Sequence, residues 1–85
     1  MQTHNVVLKK TAQKDLKKVD KRYKARVYEA LRLLAYEPYW GKSLMGDLAG
    51  FYSLRIGLYR IIYKIFKNEL VVFVIAIEHR QGVYK

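Results

Sequence analysis

The chain has 85 residues and no Cys, so it is one small domain whose core does without disulfides and whose redox compartment stays open. Hydrophobic residues make up 52%, which excludes a disordered tail, and the longest apolar run, Leu70 to Ile77, is strand-sized and too short to span a membrane. Against 7 Asp and Glu stand 17 Lys and Arg, a formal net charge of +10, which draws polyanions by counterion release and points toward nucleic acid.

The start, Met1-Gln2-Thr3-His4, has neither the basic residues nor the apolar stretch of a secretion signal, so the cytoplasm is the expected compartment. Asn5 to Lys10 predicts a short first strand with an apolar centre. Thr11 stands where a helix N-cap would, and Ala12 to Val19 follows as a short helix. Asp20 offers a second cap, and Lys21 to Tyr36 predicts a longer helix, either separate from the first or continuous with it. Leu16, Val19, Tyr23, Val27, Ala30, Leu31 and Leu34 recur at three-and-four spacing, which makes one buried stripe.

Nine cations and two Asp fall between Lys9 and Arg26, and Lys17, Lys18, Lys21 and Arg22 lie largely off the apolar stripe. Together with Lys42 they are candidate nucleic-acid contacts, and charge alone does not say which kind; a solvated helix face is the plain alternative. Pro38 ends helical structure because it lacks an N–H and restricts Glu37. Tyr39 to Gly50 reads as a loop punctuated by Gly41, Gly46 and Gly50.

Three strand signals follow: Phe51 to Ile56, Leu58 to Phe66 after a tight turn at Gly57, and Leu70 to Glu78 after Lys67-Asn68-Glu69. The last is apolar almost throughout, so it belongs inside the sheet. The expected architecture is α+β: two N-terminal helices packed on one face of a mostly antiparallel sheet of about four strands, forming a single domain over residues 1–85.

Strand alternation assigns faces. Tyr59, Ile61, Tyr63 and Ile65 form one apolar set, as do Tyr52, Leu54 and Ile56; both sets should meet the helices. Phe51, Ser53, Arg55, Arg60, Ile62 and Lys64 then point the other way. Strict alternation on the last strand puts Val72, Val74, Ala76, Glu78 and Arg80 on one face. Arg55, Arg60 and Arg80 can therefore share the face away from the helices. They either hold an anion, a task suited to a bidentate and always charged guanidinium, or pair with a carboxylate such as Glu78 or with water.

The run Leu48-Ala49-Gly50-Phe51-Tyr52-Ser53-Leu54-Arg55-Ile56-Gly57-Leu58-Tyr59-Arg60-Ile61-Ile62-Tyr63 resembles the core motif of the RelE/ParE toxin superfamily. The ending Ile77-Glu78-His79-Arg80-Gln81-Gly82-Val83-Tyr84-Lys85 resembles its terminal signature, and Lys10-Thr11-Ala12 before Asp15-Leu16 matches its usual opening. The resemblance covers essentially the whole chain. It implies a RelE-type toxin, held inactive by a cognate antitoxin, that cuts messenger RNA in the ribosomal A site without a metal or other cofactor. The 2′-hydroxyl would attack the adjacent phosphate, leaving a 2′,3′-cyclic phosphate and a 5′-hydroxyl.

On that resemblance Arg60 and Arg80 stabilise the phosphorane, and Tyr84 stacks on a base or moves a proton. Arg55 and His79 complete the candidate set, although strand parity puts His79 opposite Arg80 and a structural, hydrogen-bonded His is the alternative. The best-known RelE has lysines where this chain has Phe51 and Ser53, so that part of the machinery is either missing or supplied elsewhere, by Lys42 or Arg55. The competing readings are a ParE-like toxin that poisons DNA gyrase and a nucleic-acid-binding module without chemistry.

Two His and no Cys make no metal site, and no Gly-rich phosphate loop precedes a helix. Most of the aromatics are at core parity and are assigned to packing, with Tyr84 the exception and Trp40 expected as a loop anchor. An acidic or amphipathic antitoxin segment is the expected partner for a charge of +10.

Overall fold

The computed structural model describes residues 3–79. In chain order they form β1 (Asn5–Leu8), α1 (Lys10–Lys17), α2 (Lys21–Leu34), β2 (Lys42–Ser43), a 3-10 turn (Gly46–Leu48), β3 (Phe51–Ile56), β4 (Tyr59–Phe66) and β5 (Val71–His79). The strands make one sheet in the order β1-β5-β4-β3-β2. Only β1 and β5 run parallel. The expected α+β class stands, with five strands instead of four. The extra strand, β2, lies in the segment expected as a loop; two residues are too short to leave a periodic signal. Among the described residues, no helix is long and apolar enough to cross a membrane.

The two helices are separate, and Asp20 divides them. Its carboxylate accepts from the backbone N–H of Arg22 at 2.9 Å, so it satisfies a free donor of the first α2 turn. The Arg22 guanidinium, bonded to the same carboxylate, is the main reason that the Asp20 carboxyl titrates below its ordinary range. On α2 the expected stripe is the buried one: Val27, Ala30, Leu31 and Leu34 lie in the core with Val19, while Leu16 and Tyr23 pack at its margin. The helix ends at Leu34, two residues short of Tyr36.

The helix-facing side of the sheet supplies Leu54, Tyr59, Ile61, Tyr63, Val72, Val74 and Ile77. The β3–β4 turn is two residues long, with Ile56 opposite Tyr59. Gly57 takes φ 58° there, and a Cβ would stand 2.6 Å from the Tyr23 ring. Glycine is required on both counts.

Strict alternation fails on β5. Opposite Ile62 stands Ala76, but opposite Tyr63 stands Val74, so Ile75 is an extra residue in a β-bulge. Val72 and Val74 therefore face the helices before the bulge, and Ile77 does so after it. The single face expected for Val72, Val74, Ala76 and Glu78 is thus split, and only Ala76 and Glu78 share the Arg60 side.

The α1 segment secures this irregular stretch. β1 pairs with β5 only as far as Leu8 and Val74. Beyond that point Lys9 N–H donates to the Val74 carbonyl at 2.9 Å, the Thr11 hydroxyl donates to the Ile75 carbonyl at 2.8 Å, and Asp15 Oδ2 accepts from Ile77 N–H at 2.9 Å. Thr11 is therefore not the helix cap. The cap position is Lys9, which makes no side-chain cap bond, and the Thr11 hydroxyl serves the bulge instead.

At the other end of the sheet, Tyr63 is fully buried. Its hydroxyl donates to the Pro38 carbonyl and accepts from Gly41 N–H, both at 2.9 Å, which ties the segment leading into β2 to the central strand. Burial pushes this phenol above its ordinary pKa. A Cβ on Gly41 would meet the same hydroxyl at 2.6 Å.

Two substitutions test these anchors. Asp15→Ala leaves Ile77 N–H without its partner and should cost about 1–3 kcal/mol, read as a lower urea midpoint at unchanged m. Tyr63→Phe should cost a similar amount, about 1–3 kcal/mol, and should lose amide-exchange protection at Gly41 first.

Candidate nucleic-acid interface and active site

The face of the sheet turned away from the helices is built in cross-strand rows. One row is Arg55, Arg60 and Glu78; the next is Lys42, Ser53, Ile62 and Ala76; a third is Phe51, Lys64 and Phe73. Residues paired across strands share a face, with side chains about 5 Å apart in the paired direction. The strands thus bring four cations, Lys42, Arg55, Arg60 and Lys64, onto one surface with a single carboxylate, Glu78.

Arg55 and Arg60 are direct cross-strand neighbours. Arg55 is exposed. Arg60 donates through Nη2 to Glu78 Oε1 at 3.0 Å, with the two side chains 36% and 40% exposed. A pair this open to water contributes about 0.2–1 kcal/mol, so an incoming phosphate can compete for the guanidinium. The Nε of Arg60 is buried with no hydrogen-bond partner among the described residues. Of the three arginines expected on this face, two are brought together and one of those is paired with a carboxylate. Arg80 and Tyr84 lie outside the described residues.

His79 stands on the other side of β5. It is paired with Tyr59 and meets that ring edge-on at 4.9 Å between centroids. The Tyr59 hydroxyl in turn accepts from Asp20 N–H at 2.9 Å. His79 is therefore part of the contact between β5 and the α1–α2 junction, away from the Arg60 row.

The helix cations divide. Lys18 lines an open cleft of about 670 Å³ at the end of β5, together with Asp15, Tyr59, Glu78 and His79, so it reaches the border of the Arg60–Glu78 pair. Arg22 is held by Asp20 in a 3.0 Å ion pair. Lys17 and Lys21 are exposed on the helical layer, and neither lies on the cationic sheet face. Lys42 does lie there, opposite Ser53, beside the positions where Phe51 and Ser53 replace the expected lysines.

Glu78 stands opposite Arg60, as strand alternation expects, while two aromatic features go beyond what the sequence showed. Val72 and Val74, expected on the same side as Glu78, are the residues that the bulge turns toward the helices. The first aromatic feature is a cluster on the sheet face: Phe66 and Phe73 meet edge-on at 6.4 Å, and Lys64 Nζ sits 5.5 Å from the ring centroids of both Phe51 and Phe66. Phe51 lies on this face as its strand parity expects, but its contact with Lys64 was not foreseen. The second lies in and after α2, away from the cationic rows: Tyr28, Tyr36, Tyr39 and Trp40 are each about half accessible, which overturns the assignment of most aromatics to packing. Trp40 is a wall of two surface grooves, one shared with Ala30, Leu33 and Ile56 and one with Tyr39 and Glu37.

Residues 6–84 match the family model described as the ParE toxin of the type II toxin–antitoxin system parDE. The chain is 39% identical over 77 residues to Toxin RelG of Mycobacterium tuberculosis, an alignment covering 88% of each. Its fold superposes on the toxin–antitoxin complex RelBE2 of the same organism with a TM-score of 0.86 at 36% identity, covering 94% of both chains. It also superposes on the archaeal RelE–RelB complex of Pyrococcus horikoshii with a TM-score of 0.76 at 28% identity, covering 92% of this chain and 96% of that one. With the family model spanning nearly its whole length and a close relative among the Rel toxins, the chain belongs to the RelE/ParE superfamily, the toxins of type II toxin–antitoxin systems.

Proposed function

We propose that this toxin is a ribosome-dependent endoribonuclease that cuts messenger RNA in the A site by metal-independent attack of a 2′-hydroxyl on the adjacent phosphate. The observation that carries the proposal is the pairing of Arg55 with Arg60 on an open, cationic sheet face, with aromatic rings at its far end. Guanidiniums suit a phosphate that gains charge in the transition state. Exposed aromatics beside cations suit the unstacked bases of a single strand.

In this scheme Arg60 and Arg80 clamp the scissile phosphate and stabilise the phosphorane. Arg55 and Lys42 hold flanking phosphates, taking over from the lysines that Phe51 and Ser53 replace. Tyr84 stacks on a base or moves a proton. His79 acts through the position of β5, and Lys18 extends the positive border, while Lys17, Lys21 and Arg22 offer a second basic surface to ribosomal RNA. The chain's relatives from M. tuberculosis and P. horikoshii are complexes of toxin with antitoxin, and by that likeness this chain is neutralised by a cognate antitoxin in the cytoplasm. The net charge of +10 favours an acidic or amphipathic antitoxin segment.

A second reading, poisoning of DNA gyrase, is favoured by the family model's own description as a ParE toxin. Primer extension on a messenger in programmed ribosomes separates the two. The wild-type chain should give discrete A-site cuts. Arg60→Ala and Arg80→Ala should each slow single-turnover cutting by about 10²–10³-fold, the usual effect of removing one donor to transition-state charge. No cuts with the wild type, together with loss of gyrase supercoiling, would establish the second reading.

A further inference from the structure

We propose that Glu78 is the general base that removes the proton from the attacking 2′-hydroxyl. The assignment rests on the RNA-cleavage reading above and names a group which that reading leaves open.

A cleavage of this kind needs a proton acceptor within hydrogen-bond reach of the nucleophile. On the described sheet face the polar candidates are few. Arg55 and Arg60 are guanidiniums, which do not give up their protons in proteins. Lys42 and Lys64 are ammonium groups with no acceptor, and Lys64 sits between two phenylalanine rings. Ser53 is a neutral hydroxyl. His79 faces the other way, against Tyr59. Glu78 is the one carboxylate that the strands place on this surface.

Its position is the required one. Oε1 takes a hydrogen bond from Arg60 Nη2 at 3.0 Å, which leaves Oε2 without a partner among the described residues. The Arg60 side chain is 36% exposed, so a phosphate can approach the outer end of the guanidinium, although Nε is buried. A phosphate seated there brings its own ribose with it, and the 2′-oxygen lies about 3–3.5 Å from phosphorus in a near-attack geometry. The group that clamps the phosphate and the group that deprotonates its neighbour must therefore be adjacent, as Arg60 and Glu78 are across the β4–β5 ladder.

The step balances as follows. Glu78 takes the 2′-hydroxyl proton, the 2′-oxygen bonds to phosphorus, and the bond from phosphorus to the 5′-oxygen breaks. That oxygen leaves with a proton drawn from water, and Glu78 returns its proton to solvent before the next turnover.

The competing role for Glu78 is purely positional: it would hold the Arg60 side chain and do nothing to the nucleophile. Single-turnover cleavage on programmed ribosomes, with Glu78→Gln and Glu78→Ala beside the wild type, separates these roles. The Gln variant keeps an oxygen to accept from Arg60 and adds no charge that would repel RNA. It should bind programmed ribosomes at least as tightly as wild type, yet cut about 10²–10³-fold more slowly. Added formate should restore part of the lost rate to Glu78→Ala, because a free carboxylate can occupy the space and accept the proton.

Cutting by Glu78→Gln within about threefold of wild type would overturn the assignment, as would a loss confined to KM with no formate rescue of Glu78→Ala. In either case wild-type cuts remain and the ribonuclease reading stands. A wild-type chain that does not cut removes both. Thermal melts of the two variants matching wild type exclude misfolding as the cause of any loss.

Discussion

The chain must turn β5 over in mid-strand, and one inserted residue does it. Before Ile75 the helix-facing residues are Val72 and Val74; after it they are Ile77 and His79, so that Ala76 and Glu78 take the open face. Without the bulge, Glu78 would enter the core beneath α1 and Ile77 would face water. An unpaired carboxylate buried there would cost several kcal/mol. The bulge instead sets Glu78 beside Arg60 and closes the core with Ile77. A bulge interrupts the ladder, and its freed groups need partners. The neighbouring α1 segment supplies them through Lys9, Thr11 and Asp15. The first helix is thus a brace for the strand that carries the site, as well as a lid on the core.

The charge distribution follows the same division. Most of the excess Lys and Arg lies in the helical segment, where Asp20 already engages Arg22 and where solvent screens the remainder. The sheet face carries fewer cations, yet they are held on paired strands at fixed spacing. For binding RNA at large, the helical cations add long-range attraction. For chemistry at one phosphate, only the rigidly spaced set matters, because transition-state charge is stabilised by groups that need not reorganise. Glu78 lowers the net charge of that face slightly and holds Arg60 in place, so the free protein has no need to leave two adjacent guanidiniums unopposed.

How far the sequence could be read depended on whether side chains alternated in type. The α2 stripe of Val27, Ala30, Leu31 and Leu34 was legible, because polar residues separate the apolar ones at a helical period. So were the core sets of β3 and β4, where Ser53, Arg55, Arg60 and Lys64 mark the open face. On β5 the run from Leu70 to Ile77 is apolar at every position, so a shift of one residue changes nothing in the pattern and the bulge is invisible. Thr11 looked like a cap because the hydroxyl is chemically right for one; only the fold shows the Ile75 carbonyl within its reach. The row of Arg55, Arg60 and Glu78 was legible from alternation, whereas the turning of Val72 and Val74 to the other side needed the bulge to be known first.

Placing the site on the sheet also explains why Tyr63 is spent on a distant turn. β4 lies at the centre of the strand order and carries Arg60 on one face and Tyr63 on the other. Its aromatic hydroxyl fixes Pro38 and Gly41 on the helix side, and Lys42 follows directly as the first residue of β2, paired with Ser53 on the open side. A two-residue strand has too little ladder to fix its own register. The hydrogen bonds of Tyr63 supply what β2 lacks, so the position of a surface lysine on one face is set by a buried phenol on the other. The same logic relates Asp15 to Glu78 through Ile77. In both cases the functional face is shaped from the opposite side of a single sheet, because an open face has no second layer to hold its side chains.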